Sequence, residues 1–241
     1  RLQQHRYEVM MKMQMGTVLY QGKSKTIYAA NEPDCCILEF RDDATAFNAE
    51  KHAILPGKGK INNYFNAFIM TYLKDRGVPN HFIRRMDATH SMVSQLDMLP
   101  LECVVRNRAA GGIAKRYGLE EGLFFDPPVF EFFLKDDALG DPIINESHIR
   151  TFGWANDEEI AECKRLTLHV NEIIHPLFTA AGFALVDYKL EFGRLQGQIV
   201  LGDEFTPDGC RIWDLKTNEK FDKDRFRRDL GHVLDYYQEA A

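Results

Sequence analysis

The sequence predicts an α+β fold, in which antiparallel strands and helices form separate groups. Three short β-type runs, TVLY, TIYAA and CCILEF, stand near the N-terminus and are separated by the turn-like stretches QGKSK and NEPD. Short runs divided by turn chemistry are typical of an antiparallel meander. Helices and further strands follow without regular βαβ alternation, and this grouping favours α+β over a parallel α/β sheet.

Composition excludes several classes of protein. The 241 residues carry a net charge of −6, which argues against a dedicated nucleic-acid binder. No apolar run approaches the roughly 18 residues of a membrane span, and the first residues lack the layout of a signal peptide. The five cysteines, with Cys35 and Cys36 adjacent and no C-x-x-C, fit neither a disulfide framework nor a zinc site. We expect a cytoplasmic protein with reduced cysteines.

The first half of the chain gives further element predictions in order. Residues 1–15 show no clear period and are interpreted as a tail. An apolar stripe predicts a helix from about Ile61 to Lys74, formed by Ile61, Tyr64, Phe65, Phe68, Ile69 and Tyr72. The runs HFIRRM and LECVVRN read as strands, and Gly111-Gly112 precedes a short helix that ends near Gly118.

The second half begins with a helix start signal. Asn156 and Glu159 have capping-box spacing, and apolar residues continue at helical spacing to Gly182, with His175-Pro176 expected to bend or break the helix. The strand FALVDYKLEF, a tight turn, QIVLGDE and a TPDG turn follow. A C-terminal helix is expected from about Lys223.

The strand FALVDYKLEF carries the most informative chemical pattern. Side chains alternate between the faces of a strand, so Asp187, Lys189 and Glu191 project together. If Gln196-Gly197 forms a two-residue hairpin turn, Glu191 lies opposite Gly202 and beside Asp203. Two carboxylates so placed suit Mg²⁺, which takes oxygen ligands together with nucleotide phosphates. The alternative is a solvated strand face with alternating charges.

The stretch Gly22-Lys23-Ser24-Lys25 resembles a phosphate-binding loop but is not a Walker A motif. Gly16 lies one residue too far upstream, and β-type residues follow the turn where a P-loop requires a helix. A glycine-tipped hairpin with two lysines can fold over a polyphosphate, whereas the alternative is a polar turn. The motif GKGK at 57–60 is equally ambiguous.

Arg106 begins a third candidate stretch, RNRAAGG at 106–112. An arginine at a strand end, followed by small residues that open a helix, makes an anion pocket plausible, and Arg211 could supply a second guanidinium. The alternative is that these arginines pair with surface acids. The eight histidines show no metal-ligand spacing.

Together these stretches resemble the phosphoribosylaminoimidazole-succinocarboxamide synthase (SAICAR synthetase) family. The likeness runs from about Tyr20 to Gly231, and LVDYKLEFG joined to GDEFTPD is its most specific part. The other matching segments are YQGKSKTIY, LEFRDDATAFN, GKINN, LPLECVVRNRAAGG, FFLKDDALGDP and KDRFRRDLG.

The resemblance implies a ligase of de novo purine biosynthesis that uses ATP and Mg²⁺. Its substrates would be ATP, L-aspartate and the carboxylated aminoimidazole ribonucleotide (CAIR), and its products SAICAR, ADP and phosphate. It also implies a smaller N-terminal antiparallel β domain and a larger α/β domain with ATP in the cleft between them. We place these domains at residues 16–86 and 87–241, and we expect a homo-oligomer without nucleic-acid or membrane partners.

The resemblance also implies roles for individual residues. Lys23 and Lys25 match phosphate-contacting lysines, and Glu191 and Asp203 match Mg²⁺ ligands. The remaining matches are Arg106 and Arg211 as ligands of the ribonucleotide phosphate, Asp187 and Lys189 on the substrate side, and the Lys135 to Asp141 loop as a contact for aspartate. Lys189 is the candidate for stabilising transferred charge, and Asp187 for accepting the proton of the amine.

Gly112 departs from the family pattern, which reads A-G-S where this chain reads Ala110-Gly111-Gly112. A serine hydroxyl expected near the CAIR phosphate is therefore absent, although the backbone N–H remains. Two rival hypotheses stay open: a kinase-like phosphotransferase acting on another carboxylate or a hydroxyl, and a nucleotide-binding module without catalysis. The first predicts ADP formation without aspartate, and the second predicts ATP binding without hydrolysis.

Overall fold

The computed structural model describes residues 15–46, 51–228 and 232–241. The tail predicted over residues 1–15 lies outside these ranges, apart from Met15 at the start of the first strand.

The described residues form an α+β fold, as predicted. The strands are β1 (Met15–Gln21), β2 (Lys25–Ala30), β3 (Cys35–Phe40), β4 (Asp43–Ala46), β5 (Lys51–Ile54), β6 (Phe82–Arg85), β7 (His90–Ser94), β8 (Asp97–Arg108), β9 (Phe124–Leu134), β10 (Ile143–Ile144), β11 (Phe183–Leu195), β12 (Gln198–Leu201) and β13 (Cys210–Asp214). The helices are α1 (Lys58–Lys74), α2 (Gly112–Tyr117), α3 (Glu146–Thr151), α4 (Asp157–Ala180), α5 (Asp224–Arg227) and α6 (Val233–Ala240), with a 3₁₀ turn at Asp137–Leu139.

The N-terminal sheet has the strand order β1-β2-β3-β7-β6 and is antiparallel throughout. The predicted meander of β1, β2 and β3 is confirmed. Cys36, Leu38, Phe40 and Val93 form a small apolar cluster of this sheet, against which Ile27 packs. The sheet extends to Ser94, beyond residue 86, so the division of domains at that residue stays a proposal.

The second sheet has the order β10-β9-β8-β11-β12, and β13 also pairs with β11. Strands β12 and β13 occupy successive halves of one edge of β11, because Leu195 pairs with Gln198 while Phe183 pairs with Asp214. Strand β8 covers the other edge. The loop between β12 and β13 is therefore held at the middle of β11, where the predicted acidic row lies.

Helix α4 packs against the second sheet and begins with the predicted capping box. The Asn156 side chain accepts from Glu159 N at 2.9 Å, and the Glu159 carboxylate accepts from Asn156 N at 3.0 Å. The sequence predicts that His175-Pro176 bends or breaks this helix, and the break is wrong, since the helix continues through Pro176 to Ala180. Proline removes one hydrogen bond in the last turns, where burial of the neighbouring Phe178 and Ile174 in the main core holds the helix together.

Helix α1 joins the N-terminal sheet to the main core. Its start is capped by Asp42, whose carboxylate accepts from Gly57 N at 3.1 Å and from Gly59 N at 2.9 Å. The predicted apolar stripe is partly wrong, because Tyr64 and Phe68 are exposed. The buried face instead combines apolar residues with polar ones: Lys58, Asn62, Asn63, Phe65, Asn66, Ile69, Met70 and Leu73.

The C-terminal segment differs from the single helix predicted from Lys223. Helix α5 starts at Asp224 and has four residues, and α6 follows at Val233. All five cysteines are free, and four of them are buried. Among the described helices, none combines the length and the apolar character that crossing a bilayer requires.

Candidate active site

Two cavities open beside strand β11 and share a wall. The first, of about 580 Å³, is lined by the β1-β2 hairpin, the apolar cluster of the N-terminal sheet, Glu191 and Asp203. The second, of about 600 Å³, is lined by Arg106, Asp187 and Arg211. The residues that line both are Glu102, Asp141, Lys189, Asp208 and Gly209. A group bound in either cavity therefore meets Lys189.

The alternation of β11 places its charged row as the sequence predicts. Asp187, Lys189 and Glu191 line the cavities. Tyr188 points the opposite way, where its hydroxyl donates to Thr167 O of α4 at 2.7 Å. The acid-base-acid row is thus a wall of the cleft and not a solvated strand face, since Asp187 and Glu191 are buried.

The predicted hairpin register is confirmed. Gln196 and Gly197 both have positive φ, at 51° and 79°, which is the geometry of a type I′ turn. Gly193 pairs with Val200, and Gly202 N donates to Glu191 O at 2.9 Å. Asp203 follows directly with φ 50°, a left-handed conformation that is uncommon for residues other than glycine. The turn therefore delivers Asp203 next to Glu191.

Three lysines surround these two carboxylates. Lys189 Nζ lies 2.6 Å from Glu191 Oε1 and 3.9 Å from Asp203 Oδ2. Lys135 pairs with the other oxygen of Glu191. Lys25 pairs with Asp203 and lies 3.0 Å from Glu204 Oε1. The predicted phosphate-binding lysine of the hairpin and the predicted metal ligands thus meet in one charge cluster.

The cluster shifts the pKa of its members. Burial alone would raise the pKa of Asp203, but Lys25 and Lys189 hold it well below its usual range. Burial would likewise lower the pKa of Lys25 and Lys189, yet the neighbouring carboxylates raise both. All three groups are therefore charged at neutral pH, as a site for metal and phosphate requires.

Lys23 and the Lys135 to Asp141 loop lie at the mouth of the first cavity. Lys23 Nζ, on the tip of the β1-β2 hairpin, lies 2.7 Å from Asp137 Oδ1, and both side chains are largely exposed. Asp141 has φ 48°, and its carboxylate accepts from Asp136 N at 2.9 Å. The hairpin and the loop therefore face each other across the opening.

Arg106 and Arg211 are held by a row of buried charges beneath the second cavity. Asp187 Oδ2 accepts from Arg106 Nη1 at 2.9 Å and from Arg211 Nη1 at 2.8 Å. Arg106 Nε donates to Glu131 at 2.5 Å, and Arg211 Nε donates to Asp224 at 2.9 Å. These arginines are therefore not surface pairs. Asp187 Oδ2 therefore bridges two guanidinium groups, and the predicted proton-accepting role of Asp187 stays a prediction.

Gly111 gives Arg211 the space it occupies. A Cβ at this position would lie 2.3 Å from Arg211 Nη2, and φ is 57°. At Gly112, by contrast, the nearest contact would be the flexible tip of Arg116 at 3.0 Å. Gly112 also lines the second cavity. The residue that departs from the family pattern therefore faces the cavity of the arginines.

Glu102 and His81 also line the first cavity, although no sequence motif predicted them. Glu102 pairs in register with Glu191, and its Oε1 lies 3.1 Å from Lys189 Nζ. Alternation along LECVVRN places Glu102 on the face of Arg106, so that pattern could have revealed it. His81 Nε2 lies 3.0 Å from Asp203 O, and burial lowers the pKa of His81 to about 4. No local signal separates it from the other histidines.

The carboxylates present fit a metal that also binds phosphate. Within the described ranges no group of three or more His, Cys, Asp or Glu could hold an ion by itself. Glu191 and Asp203 offer oxygen ligands only, and Mg²⁺ commonly takes one or two carboxylates and completes its shell with phosphates and water. The donor set therefore suits Mg²⁺ bound to a nucleotide.

Comparison with known proteins gives consistent matches over nearly the whole chain. A family model described as SAICAR synthetase matches residues 18–241. The phosphoribosylaminoimidazole-succinocarboxamide synthase of Acidithiobacillus ferrooxidans is 58% identical over 223 residues, which cover 92% of this chain and 93% of that protein. That of Hahella chejuensis is 55% identical over 229 residues, covering 95% and 97%.

Solved structures show the same fold. The crystal structure of phosphoribosylaminoimidazole-succinocarboxamide synthase from Ehrlichia chaffeensis matches with a TM-score of 0.92 and 42% identity, covering 93% of this chain and 97% of that one. A SAICAR synthetase in complex with ADP matches with a TM-score of 0.89 and 42% identity, covering 91% and 94%.

Proposed function

The chain belongs to the SAICAR synthetase family, and from this premise we propose that it joins L-aspartate to the carboxylate of CAIR at the expense of ATP. The products are SAICAR, ADP and phosphate, and the enzyme is an ATP-dependent ligase of purine biosynthesis. The observation that carries the proposal is the position of Lys189, which lines both cavities. The related structure in complex with ADP supports nucleotide binding, and we assign the nucleotide to the first cavity because Lys23 and Lys25 line it.

The chemistry explains why two adjoining sites are needed. A carboxylate resists attack by an amine because its charge repels the nucleophile and oxide is a poor leaving group. In the first step a CAIR carboxylate oxygen bonds to the γ-phosphorus of ATP, the bond to the bridging oxygen breaks, and ADP leaves. In the second the aspartate nitrogen bonds to the acyl carbon, phosphate leaves and the amine loses a proton. Catalysis of phosphoryl transfer is mainly positioning and charge neutralisation.

The lysines of the charge cluster hold the triphosphate in this scheme. Lys25 pairs with Asp203, and Lys135 pairs with Glu191, so each candidate metal ligand is neutralised by a lysine. Glu191 and Asp203 would hold Mg²⁺ if it binds together with ATP, and Lys25, which now pairs with Asp203, would then be available to contact a phosphate oxygen. Bound Mg²⁺ supplies charge neutralisation at the phosphates. Lys189 and Lys23 complete the contacts to the transferred group and to the outer phosphates.

The second cavity provides for CAIR, and the loop at the mouth of the first cavity provides for aspartate. Asp187 brings Arg106 and Arg211 together, and the N–H groups that their salt bridges leave over suit the ribonucleotide phosphate, which guanidinium groups bind in a fork. Lys135 and Asp141, on the loop at the opening, are the proposed contacts for aspartate. The five free cysteines fit a reducing compartment, and we place the enzyme in the cytoplasm as a homo-oligomer.

One assay tests the proposed reaction. ADP release is measured with CAIR and aspartate together and then with each omitted. We expect ADP formation coupled to SAICAR only when both are present. ADP formation that proceeds equally without aspartate would favour a phosphotransferase, and ATP binding without ADP in any combination would favour a module without catalysis.

A further inference from the structure

The motif GKGKINN at 57–63 contains a fully buried lysine. Lys58 is 1% exposed and Asn62 is 2% exposed, whereas Lys60 is exposed. Lys58, Asn62 and Asn66 stand four residues apart, so they share one face of α1. A buried polar face is unusual because each group must find a partner away from water.

This face contacts the loop between β12 and β13. Asp208 Oδ2 accepts from Lys58 Nζ and, at 2.9 Å, from Asn62 Nδ2. Asn66 Oδ1 accepts from Phe205 N at 2.9 Å. Three successive turns of the helix thus contact the loop at two residues. The side chain of Asp208 is held by an ion pair and a hydrogen bond, and the backbone of Phe205 by a hydrogen bond.

The same loop carries Asp203 and borders both cavities. His81 Nε2 donates to Asp203 O at 3.0 Å, while Gly209 O accepts from Lys189 N at 3.0 Å. The left-handed φ of 50° at Asp203 is a strained conformation for a residue with a side chain. Such a conformation persists only where neighbouring contacts hold the loop.

We propose that Lys58, Asn62 and Asn66 are positioning residues, which fix the loop 203–209 so that the Asp203 carboxylate meets the nucleotide-bound metal. The inference rests on the proposed function and adds a role for the motif GKGKINN. Lys58 does not line either of the two cavities, and its Nζ is committed to Asp208, so this lysine acts through the loop and not on phosphate.

The test compares binding in the full chain. Mn²⁺ serves as a paramagnetic probe, and its affinity as Mn·ADP is measured by titration together with its electron paramagnetic resonance spectrum. The affinity for CAIR is measured separately. The variants are Lys58→Met, Asn66→Leu and Asn66→Asp, with Lys60→Met as the matched control from the same motif.

We expect Lys58→Met and Asn66→Leu to weaken Mn·ADP binding by about tenfold or more and to change the Mn²⁺ spectrum, because Asp203 no longer reaches the metal. CAIR affinity should fall clearly less than Mn·ADP affinity, since the salt bridges that hold Arg106 and Arg211 run to Glu131, Asp187 and Asp224 and not to α1. Asn66→Asp keeps an acceptor for Phe205 N and should retain most of the affinity. Lys60→Met should bind as the parent does.

Several results would overturn the inference. Folded Lys58→Met and Asn66→Leu proteins that bind Mn·ADP like the parent would remove the positioning role. An equal loss for Lys60→Met and Lys58→Met would indicate that the motif binds phosphate directly. A parallel loss of Mn·ADP and CAIR affinity that follows the thermal unfolding midpoint would indicate general destabilisation. Failure of the parent itself to bind Mn·ADP would instead contradict the proposed function.

Discussion

Lys189 Nζ lies 2.6 Å from Glu191 Oε1, two positions further along the same strand. The pair lies where the two cavities meet, so one lysine neutralises a candidate metal ligand and also faces the second cavity. A single strand thereby connects the proposed nucleotide site with the proposed acceptor site.

Loss of either candidate metal ligand should abolish turnover. We expect Glu191→Ala and Asp203→Ala to lower kcat by at least about a hundredfold, because removal of one electrostatic contact to the transferred group commonly has this effect. Circular dichroism should show an intact fold. Undiminished ADP release by either variant would exclude that residue as a metal ligand.

A substitution of Arg106 should weaken the binding of the ribonucleotide more than the binding of ATP. Replacement by alanine leaves Glu131 and Asp187 without one partner each, and breaking a buried pair costs about 3–5 kcal/mol, so we choose Arg106→Lys, which keeps the charge but not the fork. The KM for CAIR is expected to rise about tenfold or more, with the KM for ATP nearly constant. Equal changes in both constants would contradict the assignment.

Asp187→Asn separates two roles of this carboxylate. If Asp187 mainly orients Arg106 and Arg211, the variant raises the KM for CAIR and leaves the pH dependence of kcat in place. If Asp187 accepts the proton of the amine, the variant has a lower kcat, and the decrease of kcat toward acidic pH disappears from the pH profile. Steady-state kinetics between pH 5 and 9 distinguish the two, and the two salt bridges of Asp187 favour the first.

Gly111 and Gly112 form a matched pair of positions. Gly111→Ala should displace Arg211, because the new Cβ would meet its guanidinium at 2.3 Å on a residue with φ 57°. Gly112→Ser restores the hydroxyl expected from the family pattern and meets only the tip of Arg116. We expect the first to weaken CAIR binding by tenfold or more, and the second to preserve or strengthen it. Calorimetric titration with CAIR measures the affinity of both variants. Similar losses of affinity in the two would contradict the proposal that Gly111 makes room for Arg211 while Gly112 tolerates a side chain.

Asp222 should make stability depend on pH. Burial and the neighbouring Asp224 raise the pKa of Asp222 from 3.8 to about 7, so between these values the folded protein keeps a proton that the unfolded chain has released. Its contribution is fully present below the unfolded pKa and is lost as pH rises through 7. The free energy of unfolding should fall by up to about 1.4 kcal/mol per pH unit from this group.

The variant Asp222→Asn removes this titration. Urea unfolding at pH 5, 6 and 7 should therefore show the parent losing stability relative to the variant as pH rises. Parallel pH profiles of the two proteins would show that Asp222 titrates at its ordinary pKa.

Much of the fold could be predicted because its signals are local. The capping box at Asn156, the turn at Gln196-Gly197 and the alternation from Asp187 to Glu191 each depend on residues a few positions apart, and each is confirmed. The prediction of an apolar stripe on α1 was partly wrong because periodicity is also only a local signal. Helical periodicity identifies a face, but whether that face covers apolar side chains or a polar loop depends on a segment some 140 residues away.

Local sequence is enough to predict which side chains share a strand face and which turn brings Asp203 to Glu191, because backbone geometry fixes these relations within one hairpin. The contact of Lys25 with Asp203 across 178 positions, and the bridge from Asp187 to Arg106 and Arg211, depend instead on how distant elements pack. Contacts of this kind form when two sheets and a helix pack together. Which residues become partners depends on burial and charge in the folded protein, and no periodic pattern in the sequence predicts them.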